Sequence, residues 1–308
     1  MLRRVLLAAS ASPRLRQLIT TAPATRAIVD SYVAGETAQD AVRVTRELRA
    51  AGLLVSLDYL GEDTTDEEQA SAVTDEYIQL LGKLGAEGLT HGGAAEVSVT
   101  PTAVGLFLGA NIAAANIARI CAAAAEAGTT VTLDAEEHAA IEPTLQIAAK
   151  LRAEHPDLGC VIQSCLRRAE ADCRALAGHG VRVRLCKGAY NEPDSVAFTA
   201  RRDVDLSYGR CLRALMNGPG YPMLATHDPR LIEITGSLAR LTGRAPDSFE
   251  YQMLYGIRPA EQRRLANTGA RMRVYVPYGG DWYAYLVRRL AERPGNLAFF
   301  LRSLRSKG

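Results

Sequence analysis

Short runs of β-branched and aliphatic residues alternate along the chain with longer segments in which apolar residues recur at helical spacing. The runs predict strands at residues 53–57, 96–99, 130–134, 159–163, 181–187, 222–227, 249–254 and 271–276. The segments that predict helices include residues 66–84, 110–127, 137–153, 195–216 and 229–242. About eight such β-then-α units indicate parallel strands with right-handed crossovers, which is typical of a (β/α)8 barrel.

An open doubly wound sheet is the main alternative for such an alternation. That fold is expected to carry a glycine-rich phosphate-binding turn after its first strand, and no G-x-G-x-x-G follows residues 53–57. Residues 1–50 predict two or three helices before the first strand. We therefore expect an α/β protein with a helical segment at 1–50 and a barrel at 51–308, for which a hydrophobic content of 48% is ample.

Charge and cysteine usage narrow the class of protein. The 36 basic and 34 acidic residues form no basic stripe interleaved with aromatics, which argues against nucleic acid as a partner. The six cysteines are scattered without a C-x-x-C pair and fit a reducing compartment. The apolar run at 5–9 is shorter than the roughly 7–15 residues of a signal peptide core. We expect a cytoplasmic protein, with peripheral contact at the inner face of the membrane left open.

Polar residues gather where the predicted strands end. In a (β/α)8 barrel the catalytic residues come from the C-terminal ends of the strands. The polar strand-end positions are Asp134, Gln163, Arg184, Lys187, Tyr190, Thr226, His227, Gln252 and Tyr275. Structural alternatives stay open, since Asp134 can cap the following helix and His227 can be a satisfied rim histidine. Arg184 and Lys187 can also simply pair with Asp134 or with the glutamates that follow it.

Side chains suited to a metal ion also occur near these ends. Asp134, Glu136, His138 and His227 are of the right types. The chain nevertheless has no H-x-H at its first strand and no H-E-x-x-H motif. We therefore expect no metal site.

Residues 283–296 predict a helix with an unusual polar face. Tyr285, Arg288, Arg289 and Glu292 recur at i, i+3, i+4 and i+7, the spacing of one helical face. Two consecutive arginines lie about 100° apart around the helix axis and can donate to one carboxylate from two directions. If the helix lies over the barrel mouth, it predicts a pocket for a small carboxylate-bearing molecule. A solvated basic face is the alternative.

Five segments carry a resemblance to a known family. They are "VTLDAEEH", "RVRLCKGAYNEPDSVAF", "YPMLATHDP", "FEYQMLYGIR" and "RVYVPYGGDWYAYLVRRLAERPGN". Through them the chain resembles the proline dehydrogenase family, above all its monofunctional bacterial members, over roughly residues 30–305. The resemblance implies a distorted (β/α)8 barrel whose last helix lies over the mouth, with non-covalently bound FAD. It further implies oxidation of L-proline or a close analogue to 1-pyrroline-5-carboxylate, a quinone-type electron acceptor, and a separate pyrroline-5-carboxylate dehydrogenase as a partner.

The same resemblance implies roles for individual residues. Asp134 and Arg184 match the residues beside the reacting centre. The substrate-binding positions are Arg288, Arg289, Tyr275, Tyr285, Leu254 and Thr100. The FAD-binding positions are Ala135, Gln163, Arg184, Lys187, Gly188, Ala189, Tyr190, Thr226, His227 and Glu292, the last of which also braces the arginine helix.

Three positions depart from the family pattern. Thr100, in "VSVTPTAVG", stands where the family has a lysine in "VSVKxSxxG". Ala135 and Cys165 replace bulkier side chains. These departures leave open weaker proline binding, a proline analogue as the substrate, or an inactive barrel that only binds a ligand. A lysine that ends a barrel strand, Lys187, leaves open a Schiff-base aldolase.

Overall fold

The computed structural model describes residues 29–61, 64–283 and 285–286. Within them, eight parallel strands close into a barrel in chain order. The strands are β1 Leu54–Tyr59, β2 Ala95–Val99, β3 Val131–Leu133, β4 Gly159–Gln163, β5 Arg182–Cys186, β6 Tyr221–Ala225, β7 Glu250–Leu254 and β8 Met272–Tyr278. The helices are α1 Ala38–Ala50, α2 Glu67–Ala86, α3 Ala110–Glu126, α4 His138–Leu151, α5 Ala169–Gly178, α6 Arg201–Asn217, α7 Pro229–Leu241 and α8 Pro259–Asn267, with a short 3₁₀ turn at His91–Gly93. The predicted (β/α)8 barrel is confirmed.

The helix after β5 begins later than its sequence pattern predicted. The prediction placed its start at residue 195, whereas α6 begins at Arg201. The preceding loop instead forms an antiparallel bridge between Ala197 and Leu166, and the Phe198 N–H donates to the carbonyl of Cys165 at 2.7 Å. These long-range hydrogen bonds satisfy backbone groups that a helix would otherwise satisfy. The loop between β5 and α6 is thereby fastened to the loop that follows β4.

The apolar core lies between the strands and the surrounding helices. Apolar strand residues alternate with polar ones along most strands, as a period of two requires. The buried apolar set includes Val55, Leu57, Val97, Val99, Leu133, Ile162, Val183, Leu185, Leu224, Met253, Val274 and Val276. The alternate positions, such as Arg184 on β5, contact side chains on strands that are not their neighbours and therefore fill the barrel interior. The interior of this barrel is polar, and its hydrophobic core surrounds it.

Helix α1 packs on the barrel as part of the same core. Ala38, Ala41, Val42 and Val44 belong to the main buried cluster. Its start is fixed by a reciprocal cap in which Thr37 and Asp40 each bond the other's backbone N–H. One predicted N-terminal helix is therefore present, while residues 1–28 lie outside the described residues. The domain boundary at residue 50 stays a prediction.

A second apolar cluster positions the chain after β8 at the top of the barrel. It joins Trp282, Tyr283, Tyr285 and Leu286, which are helical, to Val29, Tyr32, Val33, Leu60 and Ile257. The Trp282 indole N–H donates to Glu36 at 3.1 Å. Of the helix expected over the mouth, only these four residues are described as helical, and the rest of the helix stays a prediction. Residues 287–308, with Arg288, Arg289 and Glu292, lie outside the described residues.

Candidate active site

A cavity of about 2160 Å3 opens at the C-terminal ends of the strands. The predicted site residues that line it are Thr100, Asp134, Ala135, Gln163, Arg184, Lys187, Gly188, Ala189, Tyr190, Thr226, His227, Leu254, Tyr275 and Tyr285. They come from seven strands and from the first turn of the helix after β8. Every predicted site residue that the structure describes therefore lines this one cavity.

Arg184 lies in the centre of the barrel with all five of its N–H groups paired. Its side chain is 4% exposed. The acceptors are Gln252 Oε1 at 2.6 Å, Ser98 Oγ at 2.6 Å, Asp134 Oδ1 at 2.8 Å, Ser56 Oγ at 2.9 Å and Glu96 Oε1 at 3.4 Å. Burial alone lowers the pKa of Arg184, but the charges of Asp134 and Glu96 outweigh it and raise the pKa above its usual value. The site therefore contains a charged guanidinium that is held in place by acceptors on all sides.

Asp134 accepts three hydrogen bonds at the end of β3. Its donors are Arg184 Nη1, Ser98 Oγ and Tyr275 Oη, each at 2.8 Å. Burial, reinforced by the Asp134 charge, raises the pKa of Tyr275 well above its usual value, so the phenol remains a donor. The Tyr275 ring also lies 5.2 Å from the Arg184 guanidinium. The capping alternative for Asp134 is wrong, because Glu137 is the N-cap residue of α4.

Sequence reasoning missed the charged layer beneath these residues. Arg182, Glu96, Glu250 and Arg273 fill the lower barrel, and Glu96 and Glu250 are fully buried. Burial raises the pKa of both glutamates, but the charges of Arg273 and Arg182 outweigh it and keep both acids ionised with lowered pKa values. The sequence does contain a signal for this layer. A charged residue stands two positions before each of Ser98, Arg184, Gln252 and Tyr275, and therefore on the same face of its strand.

Lys187 pairs with two carboxylates at the rim. Its Nζ lies 2.5 Å from Asp205 and 3.3 Å from Asp228. Asp228 also caps α7 by accepting from the Arg230 N–H at 3.1 Å. The hydrogen bonds from Arg230, and after them the Lys187 ammonium, hold the pKa of Asp228 well below its usual range. A Schiff-base aldolase uses a lysine amine in a desolvated apolar pocket, whereas Lys187 lies at the rim between two carboxylates, so this arrangement does not favour that alternative.

A glycine ledge borders the cavity between β4 and β5. Gly188 has a φ of +98°, and a Cβ there would lie 2.3 Å from Cys165 Sγ and 2.9 Å from Gln163 Oε1. Gln163 donates through Nε2 to the carbonyl of Glu136 at 2.6 Å. Among the described residues, no donor bonds the remaining Gln163 Oε1. The ledge therefore presents bare backbone and a side-chain acceptor to whatever occupies the cavity.

His227 has one ring nitrogen fixed by the protein. Its Nε2 accepts from the Leu254 N–H at 3.0 Å, so the neutral ring carries its proton on Nδ1. Its carbonyl accepts from Arg258 Nη1 at 2.7 Å, and Arg258 is held at φ 53°, a left-handed conformation that side chains rarely adopt. The rim-histidine alternative is supported, since Nε2 is satisfied by a main-chain group. These bonds tie the loops after β6 and β7 together.

Thr100 directly follows β2 and is half-buried in the cavity wall. Its neighbour Thr102 binds the Glu136 carboxylate through both its hydroxyl and its backbone N–H, the latter at 2.9 Å. Within the described part of the chain, the hydroxyl of Thr100 has no hydrogen-bond partner. Thr100 is thus available to a ligand.

Two features of the described residues bear on metals and membranes. No group of three or more His, Cys, Asp or Glu side chains in this part of the chain is arranged to hold a metal ion. Of the helices that the structure describes, none is both long enough and apolar enough to cross a membrane.

A closed (β/α)8 barrel with an acid–arginine–tyrosine cluster at its mouth defines a barrel enzyme. Comparison with known proteins is more specific: the chain belongs to the proline dehydrogenase family, whose model, described as proline dehydrogenase, matches residues 41–302. "Proline dehydrogenase 1" of Bacillus subtilis is 38% identical over 307 residues, which cover 100% of both chains. "Proline dehydrogenase" of Deinococcus radiodurans is 36% identical over 284 residues, or 90% of each chain.

Solved structures of proline utilization A have the same fold. The protein from Bdellovibrio bacteriovorus, inactivated by N-propargylglycine, is 25% identical with a TM-score of 0.81, over 87% of this chain and 33% of that one. A point variant from Bradyrhizobium japonicum is 26% identical with a TM-score of 0.75, over 91% of this chain and 32% of that one. The chain spans about a third of the length of these solved proteins.

Proposed function

We propose that this chain binds FAD non-covalently and oxidises L-proline to 1-pyrroline-5-carboxylate, the first step of proline catabolism. The observation that carries the proposal is the meeting, in one cavity, of Asp134, Arg184 and Tyr275 with Tyr285 from the helix after β8. In this proposal a separate pyrroline-5-carboxylate dehydrogenase uses the product. Peripheral contact with the inner face of the membrane would bring the enzyme to its quinone-type acceptor.

The residues on the β4–β6 side of the cavity fit a flavin. A cavity of about 2160 Å3 exceeds the roughly 300–1,000 Å3 of an ordinary ligand site, so it has room for a dinucleotide and a small substrate together. Gln163 Oε1 and the Gly188 ledge offer an acceptor and bare backbone to the polar edge of a planar ring system. The remaining residues that we assign to the cofactor are Ala135, Lys187, Ala189, Tyr190, Thr226, His227 and Glu292. When bound, FAD would accept the hydride from the carbon beside the proline nitrogen and pass the electrons on.

The β7–β8 side fits the substrate. Leu254, Tyr275 and Tyr285 supply an apolar and aromatic wall for a five-membered ring. Arg288 and Arg289 follow Tyr285 by three and four residues, the spacing of side chains that share a helical face. We therefore assign them to the proline carboxylate, which two guanidinium groups can hold in one orientation.

Asp134 and Arg184 act by position and charge in this proposal. The oxygens of Asp134 already accept from three donors, so its part is to orient Arg184 and Tyr275. The fixed charge of Arg184 favours negative charge that develops at the centre of the cavity. Since the substrate amine must lose its proton before hydride leaves the adjacent carbon, we expect the rate to rise with pH.

An anaerobic titration of the purified protein with L-proline tests the proposal. We expect a yellow protein whose visible flavin absorbance is lost on addition of L-proline, and a much weaker response to prolinol, which lacks the carboxylate. Arg288→Met and Arg289→Met should each raise the KM for L-proline, by roughly tenfold or more for loss of a charged hydrogen bond. Arg263→Met, on the exposed face of α8, is the matched control and should leave KM unchanged. A colourless protein, or flavin that L-proline does not reduce, would refute the proposal.

A further inference from the structure

Gln252 joins the base of the barrel to its mouth. The residue lies on β7 with 2% exposure. Its Oε1 accepts from Arg184 Nε at 2.6 Å, and its Nε2 donates to Glu250 Oε1 at 2.6 Å. A guanidinium can only donate and a carboxylate can only accept, so these partners fix which end of the amide carries oxygen.

Both neighbours of Gln252 are themselves anchored. Glu250 receives two bonds from Arg273, at 2.6 Å to Oε1 and 3.0 Å to Oε2. Arg273 also donates to the main-chain carbonyl of Val55 at 2.8 Å, which ties β8 to β1 at the base. A continuous series of hydrogen bonds therefore runs from the barrel floor through Gln252 to Arg184.

The charges joined by this series are balanced. Among the described residues of the network, the cations are Arg182, Arg184 and Arg273, and the anions are Glu96, Glu250 and Asp134. A neutral side chain at position 252 leaves that balance intact. It must also accept on one side and donate on the other, and of the uncharged residues of this length only glutamine does both.

We propose that Gln252 is a positioning residue that holds the Arg184 guanidinium in the orientation in which Nη1 faces Asp134. The expected effects on kcat rest on the proposed function. Without the bond from Gln252, Arg184 keeps its charge but its Nε–H is buried without an acceptor, so the guanidinium turns towards another oxygen. Asp134 and, through it, Tyr275 then lose their fixed geometry at the mouth.

Two substitutions separate positioning from packing. Gln252→Leu keeps the approximate volume and removes both bonds, and misplacement of a charged group predicts kcat lowered roughly 10- to 100-fold with KM changed much less. Gln252→Glu adds a fourth acid 2.6 Å from Glu250, so one proton must be shared between them. The protonated acid donates to Glu250 and accepts from Arg184, as glutamine does. Gln252→Glu should therefore have near wild-type kcat in mildly acid buffer and lose it as the pH rises, whereas the wild-type rate rises.

A second readout does not depend on activity. The acid at position 252 gains its proton only in the folded state, so its folded pKa lies above the unfolded value, and the stability it contributes is lost as the pH rises through the folded pKa. The melting temperature of Gln252→Glu should fall relative to wild type with increasing pH. Gln262→Leu is the matched control: Gln262 is 3% exposed and bonds only the carbonyls of Leu254 and Ile257 among the described residues. It should lower stability equally at every pH.

The outcomes are distinguishable. If wild-type flavin is not reduced by L-proline, the proposed function fails, while the pH dependence of melting still tests Gln252. If Gln252→Leu retains wild-type kcat, or Gln252→Glu shows the same pH dependence of rate and melting as Gln262→Leu, the positioning role is refuted.

Discussion

Removal of the Arg273 guanidinium should destabilise the barrel more than removal of any exposed arginine charge. Arg273 is 1% exposed and makes two bonds to Glu250, at 2.6 and 3.0 Å. It also donates to the main-chain carbonyls of Val55 at 2.8 Å and Gly93 at 3.1 Å. Arg273→Met removes all of these bonds and leaves the Glu250 carboxyl without its ion-pair partner in the barrel interior.

The size of the effect follows from burial. Removal of one partner from a buried ion pair costs about 3–5 kcal/mol, because the other charge is left uncompensated. The control is Arg46→Met: Arg46 pairs with Glu87 at the same 2.6 Å, but the two side chains are 60% and 38% exposed. An exposed pair contributes only about 0–1 kcal/mol. Because the two pairs have equal distances but unequal burial, Arg273→Met should lower the free energy of unfolding at least three times as much as Arg46→Met does.

Urea unfolding followed by far-UV circular dichroism measures both losses, with the slope checked for each variant. The double variant Arg273→Met with Glu250→Gln adds a further test. Because it also removes the uncompensated charge, it should recover part of the stability that Arg273→Met loses. Two results would show that the interior pair is not held together by its charges. One is a loss of free energy of unfolding in Arg273→Met no larger than in Arg46→Met. The other is a loss in the double variant larger than the losses of the two single variants added together.

Three further outcomes follow from the same structure. Gly188→Ala should lower flavin content, since φ +98° strains any side chain by about 1–3 kcal/mol and its Cβ would lie 2.3 Å from Cys165 Sγ. Adding Cys165→Ala to this variant should restore only the flavin content that is lost through the contact with Sγ. Glu96, with a pKa lowered to about 2, contributes stability that is present above about pH 4.5 and lost as the pH falls towards 2, so Glu96→Gln should flatten the acid limb of a stability–pH curve. Thr100→Lys should lower the KM for L-proline roughly ten- to a hundredfold, the effect of one charged hydrogen bond, and an unchanged KM would contradict weakened proline binding.

The positions of the strands and the rim of the cavity were predictable because both depend on local pattern. Each strand is a short apolar run flanked by turn residues, and closure in chain order follows from parallel strands with right-handed crossovers. Once the barrel is known, the C-terminal end of a strand is a position that can be read from the sequence. Asp134 and Gln163 were placed at the mouth by that rule, and both line the cavity.

The start of α6 and the partners of Lys187 were not predictable in the same way. Both depend on contacts between segments distant in sequence. The segment from 195 to 200 has a helical pattern, but the bridge between Ala197 and Leu166 holds it in another conformation. From the sequence, Asp134 and the glutamates after it were the candidate partners of Lys187, whereas the packing of α6 beside the loop after β6 selects Asp205 and Asp228.

The polar interior explains why the site and the stability of this barrel are linked. In a barrel filled by aliphatic layers, the mouth residues rest on a core that has no directional preference. Here Arg184 and Gln252 rest on buried charges whose hydrogen bonds have fixed directions, down to Arg273 at the floor. A change at the floor therefore alters the orientation of groups at the mouth, as well as the free energy of unfolding. We expect substitutions of Arg273 and Glu250 to lower kcat even where the folded fraction is complete, which a purely structural floor would not do.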